Sequence, residues 1–383
     1  MSFILNITTA VPEYKMEKED LVECYANAVV TSTPERFKQK LSFLNRKTKI
    51  NTRYSCIPDF KGSEQELFLN GNYNQPVEKR MEIYRKKVIP LASKVIDKLL
   101  AESEIEAKEI THLITVSCTG LFAPGLEFLI AEKYGIQNIE KTGINFLGCY
   151  AAIKGIKHAH YIAQTDPNAC ILIVCVELCS LHFYPSEKDE DIISNLLFAD
   201  GAAAVLMCGN KSKLAENKKM LEIDTIGSTF IPNTADFMKW ELSSSAFKMH
   251  LSADVVKAIK ENIYSVIHTF LGGDQLQTDY WAVHPGGVKI VEAVQQSLNL
   301  TEENVEDSLA ILNQYGNMSS PTILFILKNI FDKIKKSEKI KSEKVVACAF
   351  GPGLNVELLS LKSVDTKTPM VLKNLFADYA VEN

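Results

Sequence analysis

T-H-L-I-T-V-S-C-T-G-L-F-A-P-G-L-E-F-L-I-A-E-K-Y-G-I-Q-N-I-E-K-T-G-I-N-F-L-G-C-Y-A-A, residues 111–152, is the stretch on which the fold turns. Residues 113–116 (L-I-T-V) read as a buried strand, 124–134 as the helix after it, and 144–147 as a second short strand. A Gly-Cys turn then opens a helix over 150–163, and the apolar run 169–176 supplies the next strand. Short β-rich apolar runs alternating with helical segments predict an α/β protein with buried sheets.

The second half of the chain repeats this grammar. T-D-Y-W-A-V-H-P-G-G (278–287) stands against T-H-L-I-T-V-S-C-T-G (111–120), and N-Q-Y-G-N-M-S-S (313–320) against N-F-L-G-C-Y-A-A (145–152). With Val116 laid on Val283, the later pair recurs at nearly the same interval. Each is followed by a helix and a strand, A-C-I-L-I-V-C in one half and K-V-V-A-C-A-F in the other. Chance likeness between strand–turn–helix units is one reading; two fused, related α/β halves is the other. On the second, residues 1–215 form the half carrying Cys149, and 216–383 the half carrying His284 and Asn317. Cys149 and Asn317 then occupy equivalent strand-to-helix turns, brought together by a pseudo-twofold.

With 383 residues, 46% hydrophobic and 23% charged, the chain has the composition of a globular protein with a large core. A net charge of −5 argues against a dedicated nucleic-acid binder. The seven lysines between 328 and 344 read as a solvated helix face and loop. The opening M-S-F-I-L-N-I-T-T-A has no basic leader, and its apolar stretch is too short for a signal peptide. The longest apolar run, 169–176, is far below the roughly 20 residues of a membrane span, so a cytosolic protein is expected. Nine cysteines, an odd number without a C-x-x-C pair, suggest reduced thiols and no structural zinc. Cys170, Cys175 and Cys179 read as strand core, not as a metal cluster.

Three residues could carry chemistry. Gly148 permits a sharp turn before Cys149, and a helix start favours a thiolate, the nucleophile of acyl transfer. Position alone equally suits a buried, unreactive cysteine. His284 ends an apolar strand at Pro-Gly-Gly, the strand tip where open α/β sheets place their sites; a core histidine satisfied by backbone is the plainer alternative. As an imidazolium it would lower the Cys149 pKa further. Asn317 offers an amide donor for an enolate or oxyanion, a helix N-cap, or both.

G-C-Y-A-A, H-P-G-G, Y-G-N-M-S-S and F-G-P-G (350–353), in that order, resemble the motif set of the type III polyketide synthases, the chalcone and stilbene synthase family. The stretches 117–125 and 177–183 look more like microbial members than plant ones. The resemblance implies a thiolase fold whose two halves build an αβαβα core, and a homodimer using coenzyme A thioesters, with no metal or prosthetic group. It implies that Cys149 accepts a starter acyl group from an acyl-CoA. His284 and Asn317 would promote decarboxylation of malonyl-CoA to an enolate that attacks it, and repeated condensation would end in cyclisation. Phe198 matches a phenylalanine between coenzyme A tunnel and cavity, and Phe247 approximately matches a second aromatic gate. Cys118 and Cys179 match cavity positions, Gly351 and Gly353 a cavity-shaping loop. His182 is a weaker candidate base than His284. Lys40, Arg46 and Lys47 fall near residues that hold coenzyme A phosphates, although each also suits a solvated helix face. Small or adaptable residues, Cys118, Ala123, Cys179 and Met238, are expected to wall a channel for an aliphatic starter; a malonyl- or acetyl-primed enzyme making a small aromatic ring is the competing reading. A single-condensation ketoacyl synthase III and a non-catalytic acyl-CoA scaffold are the alternatives; H-P-G-G argues against the first, and retention of Cys149, His284 and Asn317 together against the second.

Overall fold

The computed structural model describes residues 1–62, 64–273, 278–337 and 341–366. Its strands are β1 (Ser2–Ala10), β2 (Tyr14–Glu17), β3 (Thr52–Ser55), β4 (His112–Ser117), β5 (Glu140–Asn145), β6 (Cys170–Leu178), β7 (Asp200–Gly209), β8 (Lys219–Phe230), β9 (Met238–Leu242), β10 (Phe247–Leu251), β11 (Tyr280–Val283), β12 (Lys344–Gly351) and β13 (Asn355–Asp365). The helices are α1 (Lys18–Ala28), α2 (Pro34–Thr48), α3 (Val77–Ser103), α4 (Leu126–Lys133), α5 (Ala151–Thr165), α6 (Asp189–Leu197), α7 (Asp254–Leu271), α8 (Val288–Leu298), α9 (Glu302–Tyr315) and α10 (Pro321–Lys336).

Nine strands join in the order β11-β12-β13-β8-β1-β7-β6-β4-β5. From one edge, β4 runs parallel to β6, β6 antiparallel to β7, and β7 antiparallel to β1. From the other, β11 runs parallel to β12, β12 antiparallel to β13, and β13 antiparallel to β8. The two series meet where Phe3 and Ile4 of β1 pair with Glu222 and Leu221 of β8. The same pairing order on both sides of that antiparallel junction is the structural counterpart of the sequence repeat.

β6 is buried along its whole length because it is covered on both faces. Leu172 and Val174 point into one core with Val88, Val95 and Leu99 of α3. Ile171 and Ile173 point the other way, into a core shared with Ile153 and Ile156 of α5 and Ile326 and Ile330 of α10. On the far side, Val346 and Cys348 of β12 pack with Ile259 of α7 and Val291 of α8. The result is five layers: α3, one half-sheet, α5 with α10, the other half-sheet, and α7 with α8. α5 lies close to its sheet because Gly155 has no side chain; a Cβ there would stand 3.2 Å from Ile173 Cγ2 and 3.3 Å from Val116 Cγ2.

The strand expected at 144–147 lies earlier, ending at Asn145. Phe146 and Gly148 take left-handed backbone, φ 61° and 82°, which breaks any extended run there. The polar K-T-G-I-N that does form the strand is an exposed edge, which an apolar-run criterion passes over. The described parts of the lysine-rich stretch are the second half of α10, where Lys328 pairs with Asp332, and Lys333 with Glu306 and Asp307, and residues 341–344, which lead into β12; 338–340 lie outside the described residues. All nine cysteines are free thiols. Among the described residues no helix is long and apolar enough to cross a membrane.

Candidate active site

Cys149 sits in the turn before α5, His284 follows β11 directly, and Asn317 lies between α9 and α10. All three are buried and line one pocket with Phe198, Met238 and Phe350. The turn before Cys149 requires glycine twice over. Gly148 has φ +82°, and a Cβ there would stand 2.7 Å from Pro352 Cδ. A Cβ on Gly351 would fall 2.3 Å from the Tyr150 ring. The loop of Gly351 and Gly353 therefore packs on the backbone that presents Cys149.

The Asn317 amide has a defined orientation. Its Oδ1 accepts from the Ser319 N–H at 2.8 Å and from Thr322 Oγ1 at 3.4 Å. With the oxygen occupied, Nδ2 is the donor offered to Cys149 Sγ, 3.9 Å away. Ser320, not Asn317, occupies the N-cap position of α10, and its side chain makes no capping bond there. The Asn317 backbone is held as firmly as its side chain: its N–H donates to the Leu197 carbonyl at 2.9 Å, and the Ala199 N–H to its own carbonyl at 2.9 Å. These bonds form a parallel bridge between Asn317 and Phe198.

Burial dominates the electrostatics. It pushes the Cys149 thiol up to about 11, against the lowering effect of hydrogen bonds from Ser319 and Asn317. It drives the His284 imidazole down to about 3. Neither ring nitrogen of His284 has a protein partner. The thiolate expected from a helix start and an imidazolium thus meets an opposing desolvation cost. Moving the thiol proton to His284 would place opposite charges together in a low-dielectric pocket, where their attraction is strong.

Cys118 belongs to a separate polar cluster built on Glu177, which is fully buried in β6. Glu177 accepts from the Cys118 N–H at 3.0 Å, Cys118 Sγ at 3.2 Å, Thr119 Oγ1 at 2.8 Å and Ser320 Oγ at 2.7 Å. Burial raises the Glu177 pKa against the pull of these donors. The same burial, with the Glu177 charge, pushes the Cys118 thiol well up. Ser319 joins the clusters, since its Oγ lies 3.4 Å from Cys118 Sγ and it also bonds Cys149. Sequence reasoning passed over Glu177, although a lone carboxylate in C-I-L-I-V-C-V-E-L was the signal for it.

An outer pocket lies beyond Phe198, lined by Cys179, His182, Trp240 and Phe247. Phe198 and Met249 line both pockets and so stand between them. Phe247 lines only the outer one. It stacks on His182 at 4.3 Å, and its N–H donates to His182 Nδ1 at 3.1 Å. His182 Nε2 donates to the Thr119 carbonyl at 2.8 Å, so both nitrogens are committed and burial holds the ring neutral, down to about 3. Trp240 donates to the Cys118 carbonyl at 2.8 Å. Met238 lines the Cys149 pocket, as expected of a wall residue. Ala123 does not fit that expectation: it is exposed, because the loop after β4 carries it to the surface of the chain.

On α2, Arg36, Lys40, Phe43 and Lys47 fall at helical spacing along one stripe. Arg36, Lys40 and Phe43 line a surface groove with Glu187. Lys40 is bonded to the Glu187 carbonyl at 3.0 Å and paired with Asp189. The Lys47 ammonium lies 4.3 Å from the centre of the Phe43 ring. Arg46 is exposed and lies outside the groove; Arg36, overlooked in the sequence, lies in it.

Residues 1–211 match the N-terminal domain, and 222–365 the C-terminal domain, of the chalcone and stilbene synthases. The chain is 29% identical over 371 residues to type III polyketide synthase A of Arabidopsis thaliana, covering 94% of this chain and 92% of that one. A polyketide synthase, PKS-I, from the brown alga Ectocarpus siliculosus superposes with a TM-score of 0.87 at 28% identity, over 95% of this chain and 98% of that one. The 1,3,6,8-tetrahydroxynaphthalene synthase of Streptomyces coelicolor A3(2) does so with 0.83 at 25% identity, over 95% and 99%. A plant, an alga and a bacterium thus all provide likenesses, which assign the chain to no one lineage.

Proposed function

The chain belongs to the chalcone and stilbene synthase family, the type III polyketide synthases, and from that premise we propose that it condenses malonyl-CoA iteratively onto an acyl starter carried by Cys149, using His284 and Asn317 for decarboxylation. In this reading the thiol proton passes to His284 as Cys149 attacks the starter thioester, and coenzyme A leaves with that proton. Malonyl-CoA then loses carbon dioxide, and the enolate oxygen is held by the Asn317 amide and the His284 ring. The enolate carbon attacks the acyl carbonyl on Cys149. A carbon–carbon bond forms, the carbon–sulfur bond breaks, and a chain longer by two carbons is ready for reloading and eventual ring closure. The observation that carries this is the shared pocket: a thiol, an imidazole with no protein partner, and an amide whose oxygen is already committed.

The finer features follow from the same site. The Arg36–Lys40–Phe43–Lys47 stripe suits the phosphates and adenine of coenzyme A. Met238, Met249 and Phe198 give the pocket adaptable apolar walls, which suit an aliphatic starter. The edge strand β5, with Leu121 42% and Phe128 43% exposed nearby, suits pairing with a second copy. We place the division between halves at 215/216, between β7 and β8, and the protein in the cytosol. The deciding experiment is incubation with malonyl-CoA and acyl-CoA starters from acetyl to dodecanoyl, with products identified by mass. Polyketides extended by several two-carbon units are expected, with efficiency climbing with starter length at up to roughly 0.8 kcal/mol per buried methylene. A single two-carbon extension would overturn the iterative reading, and a flat or falling response the aliphatic one.

A further inference from the structure

Arg53 is among the largest fully buried side chains. Its Nη2 donates to the Leu196 carbonyl, while Nε and Nη1 have no protein acceptor. Burial alone shifts this guanidinium, downward to about 10; no neighbouring carboxylate contributes. A buried cation without an acid partner is costly and needs some other negative end to face it.

The C-terminus of α6 supplies that end, and the end of α9 packs against the Arg53 stem. Leu196 lies in the last turn of α6, where carbonyls lack helical partners and the dipole is negative. The end of α9 is on the other side: a Cβ on Gly316, its C-cap, would stand 3.5 Å from Arg53 Cβ. The flanking residues grip the same helix. The Asn51 N–H donates to the Asn313 carbonyl at 2.9 Å, Thr52 Oγ1 to the Gln314 carbonyl at 2.5 Å, and the Tyr54 ring stacks on Tyr315 at 5.9 Å. Directly after these two helix ends come Phe198 and Asn317, the residues joined by the backbone bridge.

We propose that Arg53 is a positioning residue for the condensation site: it ties the end of α6 to the strand that caps α9, sets the register of Phe198 against Asn317, and so aims the Asn317 amide into the Cys149 pocket. This rests on the reading that Asn317 serves decarboxylation. Arg53 touches neither Cys149 nor the turn that presents it, so its effect is selective.

The test compares wild type, Arg53→Met, Arg53→Lys and Asn317→Ala. In each, malonyl-CoA decarboxylation (kcat and KM separately) and the iodoacetamide alkylation rate of Cys149 are measured. A group displaced by about 1 Å loses on the order of a hundredfold in rate. Arg53→Met is expected to lower decarboxylation kcat by about ten- to a hundredfold, with KM and alkylation within about twofold of wild type. Arg53→Lys, which keeps the charge but not the fork, should fall between the two; should Arg53→Met not accumulate as folded protein, Arg53→Lys alone decides, with a kcat loss at unchanged alkylation expected. Unchanged kcat in the Arg53 variants, or kcat and alkylation falling together, overturns the proposal. Unchanged decarboxylation in Asn317→Ala overturns instead the reading on which it rests.

Discussion

A thiol whose burial opposes ionisation needs a proton acceptor within reach, and His284 is the group available to Cys149. The proposed transfer of the thiol proton to His284 predicts that in wild type the alkylation rate of Cys149 levels off near neutral pH. In His284→Ala, burial acts on the thiol unopposed by an imidazolium, and the rate should fall at pH 7 and climb about tenfold per pH unit toward the value near 11. Equal rates in both proteins at neutral pH would exclude the ion pair. Asn317→Ala should leave alkylation near normal but cost about 10²–10³ in decarboxylation. Cys149→Ala should abolish acyl loading, whereas Cys118→Ser should retain it, since Cys118 is bound to Glu177; loading in the first and not the second, seen by intact mass, would reverse the assignment. The meeting of Cys149, His284 and Asn317 in one pocket was legible because each sits at a turn with glycine or proline signals, and turn chemistry is local. Met249 and Arg53 were not, because their neighbours come from segments far away in sequence; Glu177 carried a signal, a lone carboxylate in an apolar strand, that was passed over. The approximate match to Phe247 illustrates the limit: only the pocket walls show that Met249 shares the position between cavities with Phe198.

At the scale of elements, the turn before α5 is over-determined by its packing. Gly148→Ala must adopt left-handed backbone, a cost of roughly 1–2 kcal/mol, and must push Pro352 away. A lower Tm is expected together with a lower kcat, since Cys149 moves with the turn; a kcat equal to wild type would show that the turn does not set the nucleophile's position. β7 begins at Asp200, which accepts from the Ser180 N–H at 2.7 Å, Ser180 Oγ at 2.6 Å and the Cys56 N–H at 2.7 Å. Burial raises this carboxyl from 3.8 to about 6. Between those values the folded protein holds a proton that the unfolded chain has released. The associated stability is present at low pH and is lost as pH rises through that window, by about 3 kcal/mol in all. Asp200→Asn should flatten the dependence of Tm on pH between about 4 and 6; an unaltered slope would assign the effect elsewhere. Helices α4 and α5 and the buried strands β4 and β6 were legible from short apolar runs alternating with helical segments. The edge strand β5 was misplaced because it alternates weakly and lies open.

For the whole molecule, the repeated pairing order explains why Cys149 and Asn317 meet: the series of strands that carries the turn before α5 and the series that carries the turn before α10 join antiparallel at β1 and β8. The proposed dimer is tested at this scale. Phe128→Glu or Leu121→Glu should shift the native mass from two chains to one, and a wild-type monomer at micromolar concentration would exclude it. One further consequence lies in the middle layer. α10 is buried on nearly every face over its first two turns, and α5 on most of its length. Amide protons in such helices reach solvent only when the layers on both sides come apart. Deuterium uptake should be slowest in α5 and α10 and much faster along α2; the proposed site between them should then show no local opening of its own, and heat should end catalysis at the same temperature at which it ends the fold.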